Sequence, residues 1–204
     1  MICFDIGANI GMWSKANISS FDKIIAVEAS PITYAELFKN IDDDNIITVN
    51  YAACDNNNED ITFYHSTEMN TVSTINKDWL TSTNSRFNNK MYKEITCKTI
   101  TIDNLIDMYG LPDLIKIDVE GGEYECIKSL TQKVNTLCFE WASEVNDITF
   151  KCLDHLLKLG FTKFSMQLED SYTYRPVDFV DVSEIISFLK QTVPGKDWGM
   201  IWCK

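Results

Sequence analysis

Asp5, Glu28, Asp118 and Glu140 each close a short apolar run, and a glycine turn follows the first of them. Residues 2–11 read Ile-Cys-Phe-Asp-Ile-Gly-Ala-Asn-Ile-Gly. Strand-like residues lead to Asp5, a tight turn passes through Gly7, and Gly11 stands at the mouth of a helix. Glycine tolerates positive φ and lets the backbone approach a ligand, while amides at a helix N-terminus hold a carboxylate or phosphate. Such an element meets a nucleotide-like cofactor. A dinucleotide fingerprint carries a further glycine where this chain has Asn9. Asn adopts the left-handed conformation, so the turn survives, but close packing of a pyrophosphate is disfavoured. No Walker lysine accompanies the turn, and a cofactor bearing positive charge, such as S-adenosylmethionine, fits better than NAD.

Glu28 ends the second apolar run, where an acid accepts hydrogen bonds from both hydroxyls of a ribose. Four carboxylates on one sheet edge repel one another and serve structure poorly. They suit a ligand that carries positive charge and hydroxyl groups. Asp118 is the first choice of base, because it ends a central strand and Gly121-Gly122 lets the chain turn. Its structural alternative is capping the helix that follows. Glu120 is the second choice, and Glu140 at the next strand end can orient acceptor hydroxyls. Lys116 shares a face with Asp118 by strand alternation and can pair with it. A divalent metal held by Asp118, Glu140 and one further oxygen is the alternative use of this edge. The chain lacks a tight acidic ligand motif, so no metal site is expected. His155 falls in a helix and is read as surface or core. His65 faces a polar loop, where a structural role is favoured over a base role.

The elements that must position these groups alternate. Strands are predicted at Ile2–Ile6, Ile24–Glu28, Ile46–Tyr51, Leu114–Val119, Thr136–Trp141, Phe161–Leu168 and Trp198–Cys203, with helices between most of them. Pro31 sits at a first helical turn with Tyr34, Leu37, Phe38 and Ile41 at helical spacing behind it. This order predicts an α/β fold, a parallel sheet with helices on both faces. Ile61–His65 and Glu94–Thr101 read as additional strands around a Ser-, Thr- and Asn-rich stretch, residues 66–92, expected to be an irregular functional loop or lid. Met69–Thr74 within it can bend over the cofactor carboxylate. Trp79, Tyr92, Trp141, Tyr172 and Tyr174 could stack on a sugar, although most aromatics are core.

Composition sets the class. At 204 residues, 45% hydrophobic and 24% charged, the chain is ordinary for one globular domain spanning 1–204. Its apolar runs are too short to span a bilayer. A net charge of −12, from 18 basic and 30 acidic residues, argues against nucleic acid, whose binding depends on lysines and arginines. The seven cysteines are scattered without Cys-x-x-Cys spacing and fit a reducing compartment. With no basic leader at the N-terminus, a cytoplasmic location is expected, with no membrane partner.

Asp5-Ile-Gly-Ala-Asn-Ile-Gly11, Glu28-Ala-Ser-Pro31, Asn50-Tyr-Ala-Ala53, Thr101-Ile-Asp-Asn-Leu105 and Leu114-Ile-Lys-Ile-Asp-Val-Glu-Gly121 occur in this order. Together they resemble the FkbM family of S-adenosylmethionine-dependent methyltransferases, over residues 2 to about 141. The resemblance implies a Rossmann-like, seven-stranded methyltransferase sheet with its last strand antiparallel. It places Asp5, Gly7, Asn9 and Gly11 around the methionine part of the cofactor, Glu28 on the ribose, and Ala29 and Asn50–Ala53, including Ala53, beside the adenine. Asp118 would border the same cofactor. Family members mostly methylate hydroxyls, often on sugars or glycosylated natural products, so a sugar or glycan acceptor is expected. An RNA ribose 2′-O-methyltransferase, an NAD-dependent oxidoreductase and a non-catalytic cofactor-binding domain are the rival readings. Helical material usually precedes the first motif in the family, whereas here the first strand begins at residue 2. That difference is what a domain excised from a longer polypeptide would show, with other domains of that chain as partners. The tail from Asp147 matches no motif.

Overall fold

The computed structural model describes residues 1–204. The chain runs β1 (Ile2–Ile6), α1 (Met12–Asn17), β2 (Lys23–Val27), α2 (Pro31–Asn40), β3 (Ile46–Val49), β4 (Ala52–Ala53), β5 (Asp60–Ser66), α3 (Lys77–Thr81) and β6 (Tyr92–Ile100). It continues with α4 (Ile102–Tyr109), β7 (Leu114–Ile117), α5 (Glu123–Ile127), β8 (Thr136–Ala142), α6 (Asn146–Lys158), β9 (Phe164–Leu168), α7 (Val182–Leu189) and β10 (Trp198–Cys203). Seven strands form one sheet in the order β3-β2-β1-β7-β8-β10-β9, with β10 antiparallel to both its neighbours. The α/β reading and the antiparallel last strand both hold. The chain builds outward from β1 to β3, then returns to β7 on the other side of β1. Ligands bind in the crevice that opens at such a reversal, beyond the carboxyl ends of the strands.

Local chemistry explains the element ends. Ser30 caps α2 by accepting from the Thr33 amide at 3.3 Å, and Pro31 occupies the first turn, where its missing N–H costs nothing. Thr101 caps α4 through the Asn104 amide at 3.1 Å. Strand alternation divides the core. Phe4, Ile6, Ile25, Ile115, Ile117 and Phe139 face α4 to α7, whereas Cys3, Ile24, Leu114 and Cys138 face Trp13 of α1 and Leu37 of α2. All seven cysteines are buried and unpaired, serving as small apolar groups. No helix is long and apolar enough to cross a membrane.

Residues 66–92 depart from the expected irregular loop. Trp79 and Leu80 lie on α3, both fully buried, packed with Val72 and Ala142. Asn76 caps this short helix through the Asp78 amide at 3.2 Å. An apolar pair in a polar stretch is too brief to show periodicity, so tertiary packing decides the helix. A second sheet, β4-β6-β5, stands beside the first. Its member β4 has two residues and carries no strand signal in the sequence.

Candidate cofactor and acceptor site

A cavity of about 530 Å³ opens beyond the ends of β1, β2, β7 and β8. One wall is the turn after β1, where Gly7, Asn9 and Gly11 all have positive φ, at 78°, 49° and 88°. Gly7 is obligatory for a steric reason as well: a Cβ there would lie 1.7 Å from the Asp118 carbonyl oxygen. Gly7 and Ala8 donate their amides to Val27 O at 2.9 Å, tying the turn to β2. Asn9 lines the cavity, and its Oδ1 is buried without a donor. That orphaned acceptor fits the amino group of an amino-acid moiety.

Glu28 follows β2, and its carboxylate is buried and faces the cavity. Oε2 accepts from the Asn9 amide at 3.0 Å and Oε1 from the Ser30 amide at 2.9 Å. Burial lifts its pKa to about 7, against the opposing pull of those two amides and of Lys116. Each oxygen keeps a lone pair for a ligand hydroxyl. Asn50 braces the same strand end, donating to Glu28 O at 2.8 Å and Ala29 O at 3.0 Å, while Ala29, Tyr51, Ala53 and Phe63 form an apolar wall nearby.

Asp5 and Gly11 stand behind the cavity wall rather than on it. Asp5 is fully buried, accepting from Ser14 Oγ at 2.6 Å, with Lys116 Nζ 3.2 Å from its other oxygen. The same Nζ lies 3.2 Å from Asp118 and donates to Gly7 O at 3.3 Å. Burial alone would lower the Lys116 pKa, but Asp118 and Asp5 together carry it above the ordinary lysine value. One buried ammonium therefore locks the β1 turn to the β7 end. Gly11 caps α1 and packs toward Leu37.

Asp118, Glu120 and Glu140 converge at the β7 and β8 ends, with one carboxylate oxygen of each within 4.8 Å of the others. Parallel pairing aligns Ile117 with Phe139, which brings Asp118 beside Glu140. Glu120 joins them through backbone conformation: its φ is 56° and that of Gly121 is 82°. A non-glycine residue holds this conformation only where its surroundings impose it. Thr74 Oγ1 donates to Glu120 O at 2.6 Å, Asn76 Nδ2 to Gly121 O at 3.1 Å, and the Val119 and Gly121 amides to Glu123 Oε1 at 3.3 and 3.1 Å. The Trp79 indole then fixes Glu120 Oε2 at 2.9 Å. Burial first, then Asp118 and Glu123, hold the Glu120 carboxyl well above the usual carboxylate range. Glu140 is raised likewise, by burial and then by Glu120 and Asp118. Asp118 does not cap the following helix, which starts at Glu123 behind Gly122 with no side-chain cap.

Arg86 and Asp170, which the sequence did not single out, help complete the site. Arg86 reaches the cavity from the 66–92 segment, its guanidinium stacked over Phe87 at 5.1 Å and Trp198 at 5.3 Å and its Nε 3.3 Å from buried Glu144. Asp170 and Tyr172 line the cavity from the loop after β9. That loop is fastened by Arg175, which donates to Asn17 Oδ1 and stacks on Trp13 and Trp202 at 5.6 and 5.4 Å. These are the chain's only two arginines, and that scarcity was the one available signal. Among the aromatics considered for stacking, Tyr172 alone lines the cavity; Trp79 and Trp141 are buried, Tyr92 packs edge-on against Tyr64, and Tyr174 against Trp202. His65 faces Ser30, with Nδ1 3.1 Å from its Oγ, rather than the polar loop, and His155 Nε2 lies 2.9 Å from Leu130 O. Neither lines the cavity.

The sequence profile of the methyltransferase FkbM domain matches residues 5–191. The chain belongs to the FkbM family. It is accordingly an S-adenosylmethionine-dependent methyltransferase, and the cavity residues suit that cofactor: an unsatisfied acceptor on Asn9, a carboxylate for the ribose on Glu28, and an acidic edge for a sulfonium. Among solved structures the chain is similar to precorrin-6y C5,15-methyltransferase from Geobacter metallireducens GS-15, at 12% identity and a TM-score of 0.50, over 100% of this chain and 79% of that one. It is also similar to precorrin 8w decarboxylase of Methanobacterium thermoautotrophicum, at 10% identity and 0.53, over 100% and 81%. Identities this low establish the shared fold alone. No curated protein sequence matches the chain.

Proposed function

We propose that the protein methylates a hydroxyl group, carried by a sugar of a glycan or a glycosylated small molecule. The observation that supports this reading is the convergence of Asp118, Glu120 and Glu140 at the end of the cofactor cavity. Bound S-adenosylmethionine supplies a methyl group on a positively charged sulfur. A hydroxyl acceptor is a weak acid and must give up its proton as its oxygen takes the methyl group, so it needs an adjacent base. Glu140 is that base, since it lines the cavity and no protein hydrogen bond or ion pair holds its carboxylate. Asp118, held by Lys116, orients the hydroxyl, and Glu120, held by Trp79, positions its neighbour. Gly7, Asn9, Glu28, Ala29 and Ala53 hold the cofactor, and Asp5 and Gly11 shape the turn from behind.

Calorimetry with S-adenosylhomocysteine and a screen of mono- and oligosaccharide acceptors, read by mass for an added methyl group, test the reading. Asp118→Ala is expected to abolish transfer while leaving S-adenosylhomocysteine affinity nearly unchanged. Transfer to nitrogen or carbon acceptors alone would overturn the hydroxyl assignment. An acidic cavity edge and a charge of −12 weigh against an RNA acceptor.

A further inference from the structure

We propose that Asp118, Glu120 and Glu140 form a binding site for a divalent cation, Mg²⁺ or Mn²⁺, at the acceptor end of the cavity. Asp118 and Glu120 come from the turn after β7 and Glu140 from β8, and one oxygen of each lies within 4.8 Å of the others. Glu140 supplies the independent observation. It is 7% exposed, lines the cavity, and its carboxylate makes neither a hydrogen bond nor an ion pair with the protein. A carboxylate that opens only onto the cavity takes its partner from outside the chain, as a cation or a hydrogen-bond donor.

Nearby protein cations do not meet that need. Lys116 is shared between Asp118 and Asp5, and Arg86, whose charge is felt at Glu120 and Glu140, makes its ion pair with Glu144 instead. The left-handed turn at Glu120 adds a third oxygen to the pair that neighbouring strand ends already provide. Five hydrogen bonds, from Thr74, Asn76, Val119, Gly121 and Trp79, hold that turn and its carboxylate in place. Oxygen ligands select hard cations, and three of them leave positions for water or for the oxygens of an acceptor. The other acidic group in the molecule differs: at Cys54, Asp55 and Glu125 the Lys128 ammonium already sits 2.8 Å from Asp55 and 2.5 Å from Glu125.

The site rests on the geometry of the carboxylates, and its link to the acceptor rests on the hydroxyl reading above. Titration of the full chain with Mn²⁺ at pH 8, read by electron paramagnetic resonance of the free ion, tests it without any acceptor. One Mn²⁺ per chain, displaced by Mg²⁺, is expected. Glu140→Gln and Glu120→Gln should each weaken it by about tenfold or more, with S-adenosylhomocysteine binding as the check that they fold. Asp55→Asn should leave it unchanged. No Mn²⁺ retained at millimolar concentration, or retention that Glu140→Gln does not alter, overturns the site. Hydroxyl methylation by chelator-treated, metal-free protein would overturn the cation's link to the acceptor and leave the hydroxyl reading intact. Mn²⁺ binding without any methylated hydroxyl would overturn the hydroxyl reading and leave the site intact.

Discussion

Glu28 carries a measurable energetic signature. Burial raises its pKa from 4.5 to about 7. Between those values the folded chain holds a proton that the unfolded chain has released, so stability falls as pH rises through the window and is level above it. At about 1.4 kcal/mol per pH unit, the ionised carboxylate costs the fold roughly 3 kcal/mol. Glu28→Gln removes the titration. The amide also sets a donor against the Asn9 or Ser30 N–H, but that offset does not change with pH. Urea denaturation of both proteins from pH 4.5 to 8.5 isolates the effect, because every other titrating group cancels in the difference. Wild-type stability relative to the variant is expected to drop by about 3 kcal/mol up to pH 7.5 and then stay constant. Ribose hydroxyls donating to the ionised carboxylate recover part of this cost. S-adenosylhomocysteine affinity of the wild type should therefore climb over the same window, and that of Glu28→Gln should not. A stability difference that is flat with pH would refute the reasoning.

Gly7→Ala places a methyl group against the Asp118 carbonyl oxygen, 1.7 Å away, a backbone atom that has no side-chain freedom to move aside. A loss of about 3 kcal/mol or more in denaturant unfolding is expected, together with loss of cofactor binding. Lys116→Met leaves Asp5 buried with only Ser14 to support it, a cost of about 3–5 kcal/mol. The double variant Asp5→Asn with Lys116→Met should recover a large share, and an additive loss in the double variant would show that the two residues act independently.

Sequence alone determined the frame. Alternation of short β-rich runs with helix-like stretches specified a covered parallel sheet, because each element must bury one face. The turn after β1 was legible because left-handed backbone is open to few residue types, and Gly7, Asn9 and Gly11 stand at alternate positions where it is needed. Glu28 was legible because a strand end fixes where its side chain must go. Asp5 was not: it lies just before that turn, yet strand alternation aims it away from the cavity and toward Ser14 and Lys116.

Tertiary structure alone decided the rest. Asp118 and Glu140 meet because β7 and β8 pair in register, and Glu120 meets them because contacts from Thr74, Asn76 and Trp79 impose a conformation that glutamate by itself rarely adopts. Arg86 and Trp79 reach the acids from a stretch whose local pattern reads as loop. Local propensity is written in neighbouring residues, but this constellation depends on contacts between groups some 20 to 60 positions apart. Their closeness exists only once the sheet has brought its strand ends to one edge.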